Sequence, residues 1–475
     1  MAGTQQLQRR LRLFDATTIV VGSMIGSAIF VAPSIMAKSV QTPGLLLGLW
    51  VFGGLFTILG AVAYGELAAM WPHAGGQYVF LREAYGNFWA FLYGWANFLV
   101  IQTGFNAAVA IAFAKYLGVL IPELGEDNVL AVVPLGDLLP AAWAGYLPDL
   151  LRRVEINSAQ LVACAVIALL TWINVRGVRH GAFVQNLFTV LKVAALAALC
   201  VAGLSKAGAN AANFLPLAPG KEVLQAGFLA GVAVALSKAL FAYDAWNTVT
   251  FVAEEVRDSE RTLPRALLLG SLITTVVYVL TNIAYLAVLP VADMAQVEEN
   301  RVAQAVAAVL FGKFGVTLVV AAILISTFGC VNGMILGGAR VYYAMARQGL
   351  FFRRCAALHP RNATPAVALL YEGVWSIVLV FAGSYTKLLT FSTFASVFFG
   401  GLTVAGVYLL RVKQPARPRP YRCWGYPITP ALYLLVCVPF LIYVVLGEPE
   451  ATLSGLVLVL TGIPFYWFWR RKPAQ

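Results

Sequence analysis

Twelve apolar runs of 18 residues or more leave this 475-residue chain few folds to choose from. They fall at about 14–37, 44–70, 88–120, 156–174, 183–205, 225–257, 266–290, 305–347, 364–382, 388–410, 428–446 and 452–469. A helix crossing the hydrocarbon core needs about 20 apolar residues. In lipid every backbone polar group must be satisfied internally, so such runs become helices. The expectation is an all-α polytopic membrane protein with 12 transmembrane helices. Composition agrees, with 60% hydrophobic and 11% charged residues and a mean hydropathy of +0.80. Soluble domains average about 45–50% apolar and about 25% charged. A soluble enzyme, a nucleic-acid binder and a disordered chain are excluded on these figures.

The net charge of +12 reports topology rather than a polyanionic partner. An even span number puts both termini on one side. Gaps of that parity, with the termini, hold 21 of the 33 Lys and Arg residues, among them Arg82, Arg176, Arg257, Arg347 and Arg411. The opposite gaps hold seven, including Lys38, Lys206 and Arg301. The excess marks the cytoplasmic side, so both termini are expected there, in a plasma (inner) membrane. The short basic segment Met1 to Phe14 precedes a run with no small-residue cleavage site, which reads as a retained span. The six cysteines form no disulfide framework or metal spacing. The outer gap at 121–155, interrupted by Pro134, Pro140 and Pro148, reads as partly helical and lying on the outer surface. Gln414 to Arg422 reads as a stiff cytoplasmic linker.

Two spans break the apolar pattern about 220 residues apart, each opening a block of five. The first carries Gly22-Ser23-Met24-Ile25-Gly26-Ser27-Ala28 and the sixth Phe241-Ala242-Tyr243-Asp244-Ala245-Trp246-Asn247. Paired interruptions of this kind point to an inverted-repeat transporter site. After the first break a half-helix would present free N–H groups and a positive dipole end, which suits a carboxylate; Ser27 can bond freed backbone groups. Close packing through small residues explains this segment equally well. At the second break the outer half-helix ends in free carbonyls, which suit an ammonium group. Asp244 reads first as an N-cap accepting from Trp246 or Asn247, and otherwise as a group touching substrate or a proton. Phe241 and Trp246 wall the break or simply pack.

Lys192 lies mid-run in the fifth span, where a lysine needs a partner or must lose its charge. A cation there can stand in for a bound sodium ion, tying the first broken span to the eighth through Ser326; a titrating proton carrier is the other option. Ser326 to Gly333, including Asn332, either line a cavity or pack helices. Gly104 and Phe105 of the third span are further pocket candidates. Glu66, Glu254 and Glu255 read mainly as solvated surface charge, with inner ion pairs to Arg82, Arg257, Arg261 or Arg340 as the alternative. No motif for nucleophilic or metal chemistry occurs, so neither an enzyme nor a cofactor is expected.

These residues resemble the amino acid–polyamine–organocation superfamily, and within it a bacterial-type member of the L-type amino-acid transporter (LAT) family. The similarity is carried by Val21 to Phe30, by Tyr64-Gly65-Glu66-Leu67 with Trp71 to Tyr78, by Phe241 to Asn247 with Glu254-Glu255 and Leu263 to Ala266, by Ser326 to Gly333, and by Thr403 to Gly406 with Arg417 to Pro420. It spans about residues 11–430 in the family's order. It implies a LeuT-type 5+5 inverted repeat with helices 1 and 6 broken: tail 1–13, first repeat 14–205, second repeat 225–410, linker 411–427, helices 11–12 at 428–469 and tail 470–475. It implies sodium-independent amino-acid transport, commonly exchange. The carboxylate would sit on the backbone of Ile25, Gly26, Ser27 and Ala28, the ammonium on carbonyls of Phe241, Ala242 and Tyr243. Phe241 would be the outer gate, and Lys192 would replace a sodium site.

The family usually has glycine where this chain has Ala28 and Ala245, and each methyl would trim the pocket. The animal light chains carry an outer-loop cysteine that bonds a heavy subunit; residues 121–155 contain none, so no disulfide-linked partner is expected. The leading expectation is an exchanger of neutral L-amino acids in a lipid bilayer. A proton-coupled importer, with cationic substrates among its options, is the alternative; a channel or an amino-acid sensor stands further off.

Overall fold

A computed structural model describes residues 6–133, 154–206, 210–217, 220, 227–382, 385–447 and 449–470. Most of them are helical. The helices are α1 (Leu13–Met24), α2 (Ala28–Val40), α3 (Pro43–Met70), α4 (Gln77–Tyr85), α5 (Asn87–Ala96), α6 (Gln102–Leu120), α7 (Ser158–Val175), α8 (Val178–Leu204), α9 (Phe228–Ala242), α10 (Ser259–Val288), α11 (Val291–Gln296), α12 (Val302–Arg347), α13 (Ala366–Ala382), α14 (Tyr385–Lys413), α15 (Ile428–Gly447), α16 (Pro449–Leu460) and α17 (Gly462–Arg470). Among the described residues, nine helices are long and apolar enough to cross a membrane. The α1–α2 pair, bent by 41° at its break, makes a tenth candidate.

Burial explains why so apolar a chain has a definite interior. Large apolar side chains such as Leu229, Val201 and Phe183 point outward, where hydrocarbon is the solvent and no apolar driving force pulls them in. The interior instead collects small and polar residues, among them Ser34, Asn106, Gln185, Asn282 and Ser326, all fully buried. Small residues let helices approach closely, and polar side chains bond across the gap.

Two further spans are not simple cylinders. The third joins α5 to α6 through a π-helical turn at Asn97–Ile101. Helix α12 runs 46 residues, which is ~69 Å of rise and far more than one crossing requires. It is interrupted at Gly312, whose φ of 62° and ψ of −151° only glycine adopts freely. The run at 305–347 is therefore a short segment joined at Gly312 to a long span.

The outer gap differs from expectation at its flanks. Val129–Val133 (β1) and Val154–Asn157 (β2) pair antiparallel, with Val129 opposite Asn157, Val133 opposite Val154 and a bulge between Val129 and Ala131. The β-branched runs there favour a ribbon, so the chain is not strictly all-α. The expected surface helix falls on 134–153, outside the described residues.

Candidate functional site

Both expected breaks are real interruptions of the backbone, and they face one cavity. Helix α1 ends at Met24, Ile25 turns extended (φ −77°, ψ 94°), and α2 restarts at Ala28. The Ile25 N–H still bonds Val21, but the N–H groups of Gly26, Ser27 and Ala28 have no backbone acceptor among the described residues. These are the orphan donors of a helix N-terminus, where the dipole favours an anion.

In the sixth span α9 ends at Ala242, and a turn at Tyr243–Asp244–Ala245 leads into a 3₁₀ helix at Trp246–Glu255. Ala245 carries the turn at φ 67°, a left-handed conformation that costs an L-residue roughly 1–2 kcal/mol. Asp244 helps to hold it. Its Oδ1 accepts from the Ala245 N–H at 2.7 Å and from Ser396 Oγ at 3.0 Å. Asp244 therefore bonds its immediate successor, not Trp246 or Asn247 as an N-cap would. Its Oδ2 has no hydrogen-bond partner among the described residues.

A small cavity of about 30 Å³ lies between the breaks. It is lined by Gly26, Ser27, Ala28, Phe105, Phe241, Asp244 and Ala245 of the expected set, together with Ser23, Met24, Val109, Cys330 and Met334. Phe105 and Phe241 close one side, ring centroids 5.8 Å apart. Tyr243 and Trp246 turn away from it and line a second, smaller space on the far side of Asp244 with Tyr64, Asn247 and Ser396. Trp246 packs edge-on against Tyr64 at 4.6 Å.

Behind the first break the fifth and eighth spans converge. Lys192 is 1% exposed. Its Nζ donates to Gly22 O at 3.0 Å, Ile25 O at 2.7 Å and Ser326 O at 2.7 Å. Ser326 Oγ lies 3.1 Å from Ile25 O and 3.0 Å from Gly26 O. The carbonyls freed by the break thus converge on one ammonium and one hydroxyl. Ser27 plays no such part, since its Oγ has no hydrogen-bond partner among the described residues.

Two pocket candidates lie elsewhere. Asn332 is buried, donating to Gly181 O and Gln185 Oε1 and accepting from Asn174. A Cβ built on Gly104 would stand 2.8 Å from Ser392 Oγ, so Gly104 serves a helix contact. Ile25 and Ala242 are buried but are not among the residues that line the cavity.

Tyr278 of α10 was not singled out by sequence. Its Oη lies 2.9 Å from both Met24 O and Ala242 O, clipping the two breaks together. Trp50 sits edge-on to its ring at 5.2 Å. A tyrosine in an apolar run carries no mark that separates this role from ordinary packing.

Of the three acids near helix ends, Glu254 stays partly exposed, Glu255 takes the ion-pair alternative with Arg340, and Glu66 departs from both readings in its partners. Glu66 is buried, hydrogen-bonded by Arg411 and the Cys423 N–H, with Arg419 Nε at 3.3 Å as a further ion-pair contact. Glu255 is buried against Arg340. Only Glu254 is partly exposed, with His73 at 3.8 Å and Arg347 at 3.9 Å. Burial works to raise its carboxyl, but the His73 bond, the Ala74 N–H and Arg347 outweigh it and hold Glu254 below the ordinary glutamate range.

Comparison with known proteins agrees with this architecture. The amino acid permease family profile matches residues 11–467. The large neutral amino acids transporter small subunit 2 of Homo sapiens is 30% identical over 474 residues, covering 99% of this chain and 83% of that protein. The Asc-type amino acid transporter 1 of Homo sapiens is 30% identical, covering 98% and 84%. The b(0,+)-type amino acid transporter 1 of Mus musculus is 29% identical, covering 98% and 88%. With a profile match across almost its whole length, the chain belongs to the amino acid permease family and is a transporter rather than an enzyme.

Proposed function

We propose that this protein is a sodium-independent secondary transporter of neutral L-amino acids, an exchanger working by alternating access. The observation that carries the reading is the pair of broken helices facing one cavity. The orphan N–H groups of Gly26, Ser27 and Ala28 suit the substrate carboxylate, and the carbonyl end of α9 at Phe241–Tyr243 suits its ammonium. Phe241 and Phe105 cover the side chain. Lys192 and Ser326 occupy the carbonyls that a sodium ion would otherwise bridge. The printed names of the relatives support amino acids as the cargo.

The architecture that fits this reading is a LeuT-type 5+5 inverted repeat of twelve spans. Nine long helices and the bent α1–α2 pair support this reading, which takes the two shorter apolar helices, Ala366–Phe381 and Gly455–Arg470, as the remaining spans. Excess positive charge in the inner gaps supports a plasma-membrane orientation with both termini cytoplasmic. Without an outer-loop cysteine at 121–155, we expect no disulfide-linked heavy subunit.

Exchange has a direct signature. Proteoliposomes preloaded with unlabelled alanine or leucine should take up the labelled amino acid several-fold faster than empty ones, with no requirement for sodium. Equal rates in the two would refute exchange. One observation favours a second reading: the unpartnered Oδ2 of Asp244 beside the cavity suits a proton or a cationic side chain. On that reading uptake of lysine follows an imposed pH gradient and ignores preloading.

Substrate size follows from the walls. Ala28 and Ala245 each place a methyl group on the cavity. Ala28→Gly is expected to shift relative uptake toward larger amino acids by roughly 10-fold, since one methylene in a pocket is worth about 1–3 kcal/mol of discrimination. A competition profile identical to wild type would remove Ala28 as a size determinant.

A further inference from the structure

A second cluster of buried polar groups lies behind the wall of the cavity, and nothing in the transport reading uses it. Glu372 of α13 is fully buried. Its Oε1 accepts from Asn106 Nδ2 of α6 at 3.1 Å, and the other Nδ2 hydrogen reaches Ser376 Oγ at 3.3 Å. Asn106 has thus spent both its donors. Two acceptors on this pair remain unsatisfied, Glu372 Oε2 and Asn106 Oδ1. Helix α12 approaches so closely that a Cβ on Gly338 would stand 2.4 Å from Oε1.

Among the described residues no cation pairs with this carboxyl. Arg340, the charge on α12 that faces it, gives Nε and Nη2 to Glu255 and Nη1 to Leu336 O. The Tyr342 hydroxyl, also facing it from α12, is held by Asn97. From α6 come Gln102 and Asn106, and from α7 Thr171 beside Gly373, all neutral. The 3₁₀ turn Arg353–Ala356, which also packs on α13, exposes Arg353 and Arg354 and buries the Cys355 thiol.

An ionised carboxylate buried against the Asn106 amide and the Ala339 N–H, with one oxygen unmet and no counter-ion among the described residues, is under-compensated. One proton on Oε2 removes the charge and supplies the donor that the orphan acceptors lack. We propose that Glu372 is a resident proton-binding site, a neutral carboxylic acid paired with Asn106, that fastens α13 to α6 and α12 behind the substrate cavity. The position gives the proton a consequence for the site. Phe105, next to Asn106, lines the cavity, as does Met334, whose carbonyl Gln102 holds at 2.7 Å.

Glu372→Gln tests this, because glutamine reproduces the donor and acceptor of the protonated acid. The infrared difference between wild type and E372Q in detergent should show the C=O band of a carboxylic acid, sensitive to deuterium exchange, present only in wild type. In Asn106→Ala that band should move toward the frequency of an unbonded acid. Stability is the second readout. A proton that the folded chain keeps and the unfolded chain has released makes stability fall as pH rises. Above pH ~4.3, where a free glutamate ionises, each pH unit shifts the folding equilibrium tenfold against wild type until Glu372 itself ionises. The melting temperature of E372Q should therefore exceed that of wild type by a margin that widens with pH. No carboxylic-acid difference band, an unmoved band in N106A, a margin flat with pH, or an E372Q that does not fold would each overturn the proposal. None of these measurements depends on transport.

Discussion

Lys192→Ala is expected to abolish sodium-independent uptake, a loss of at least ~100-fold in rate, which corresponds to about 2.7 kcal/mol at the barrier. The ammonium is the common partner of Gly22 O, Ile25 O and Ser326 O. Removing it leaves three buried carbonyls short of a donor, each a loss of about 1–3 kcal/mol where water does not replace it. Those carbonyls define the geometry of the first break, so the N–H groups of Gly26, Ser27 and Ala28 lose their aim. Gly329 leaves room for the ammonium, since a Cβ there would stand 3.3 Å from Nζ. In Lys192→Ala the same carbonyls, with Ser326 Oγ, form an oxygen set that suits a small hard cation. Sodium should then restore part of the uptake. The measurement is labelled amino-acid uptake in proteoliposomes with sodium or choline. Wild-type rates in choline would show that Lys192 has no part in the cycle.

The places where this chain breaks the rules of a membrane helix were readable without coordinates. Glycines at mid-span, an acid in an apolar run and a lysine far from either end are costly in lipid, so each demanded a reason. What was not readable is which way a side chain points around its helix. Cys330 and Met334, four residues apart, share one face and line the cavity. Asn332 lies two residues from each, about 200° around the helix, and therefore meets Gln185 and Asn174 instead. The third span repeats the lesson. Phe105 and Val109 face the cavity, whereas Gln102 and Asn106 form the face that bonds Met334 O and Glu372. A string of polar residues marks an important helix but not its important face.

Charges near helix ends misled for a related reason. Glu66 and Glu255 sit where solvated acids are common, yet their partners Arg411 and Arg340 lie 345 and 85 residues away along the chain. Local spacing carries no trace of such pairs. The N-terminal segment is similarly tied by distant contacts, with Arg10 N and Leu11 N bonding Glu255 O and Arg257 N bonding Leu11 O. The Glu255–Arg257 end of the broken sixth span is thereby held by backbone pairing to the N-terminal segment and by a buried ion pair.

That ion pair gives the second large effect, and its sign depends on which partners are removed. Arg340 and Glu255 are both fully buried and meet in a fork, Nε to Oε2 at 2.9 Å and Nη2 to Oε1 at 3.0 Å. Arg340→Met should destabilise the folded protein by about 3–5 kcal/mol, because it strands the Glu255 carboxylate without compensation. Replacing both, as Glu255→Met with Arg340→Met, removes the charges together. It should recover most of that loss, since a well-packed apolar pair of similar volume is often neutral or stabilising. Denaturation midpoints of wild type, the two single variants and the double variant in one detergent form the cycle that isolates the coupling. A double variant no more stable than Arg340→Met would mean that the pair acts through shape and not charge. The folded double variant then separates stability from gating: if the pair holds the inner side shut between turnovers, its preloaded proteoliposomes should lose label without external substrate, whereas wild type should release label only in exchange.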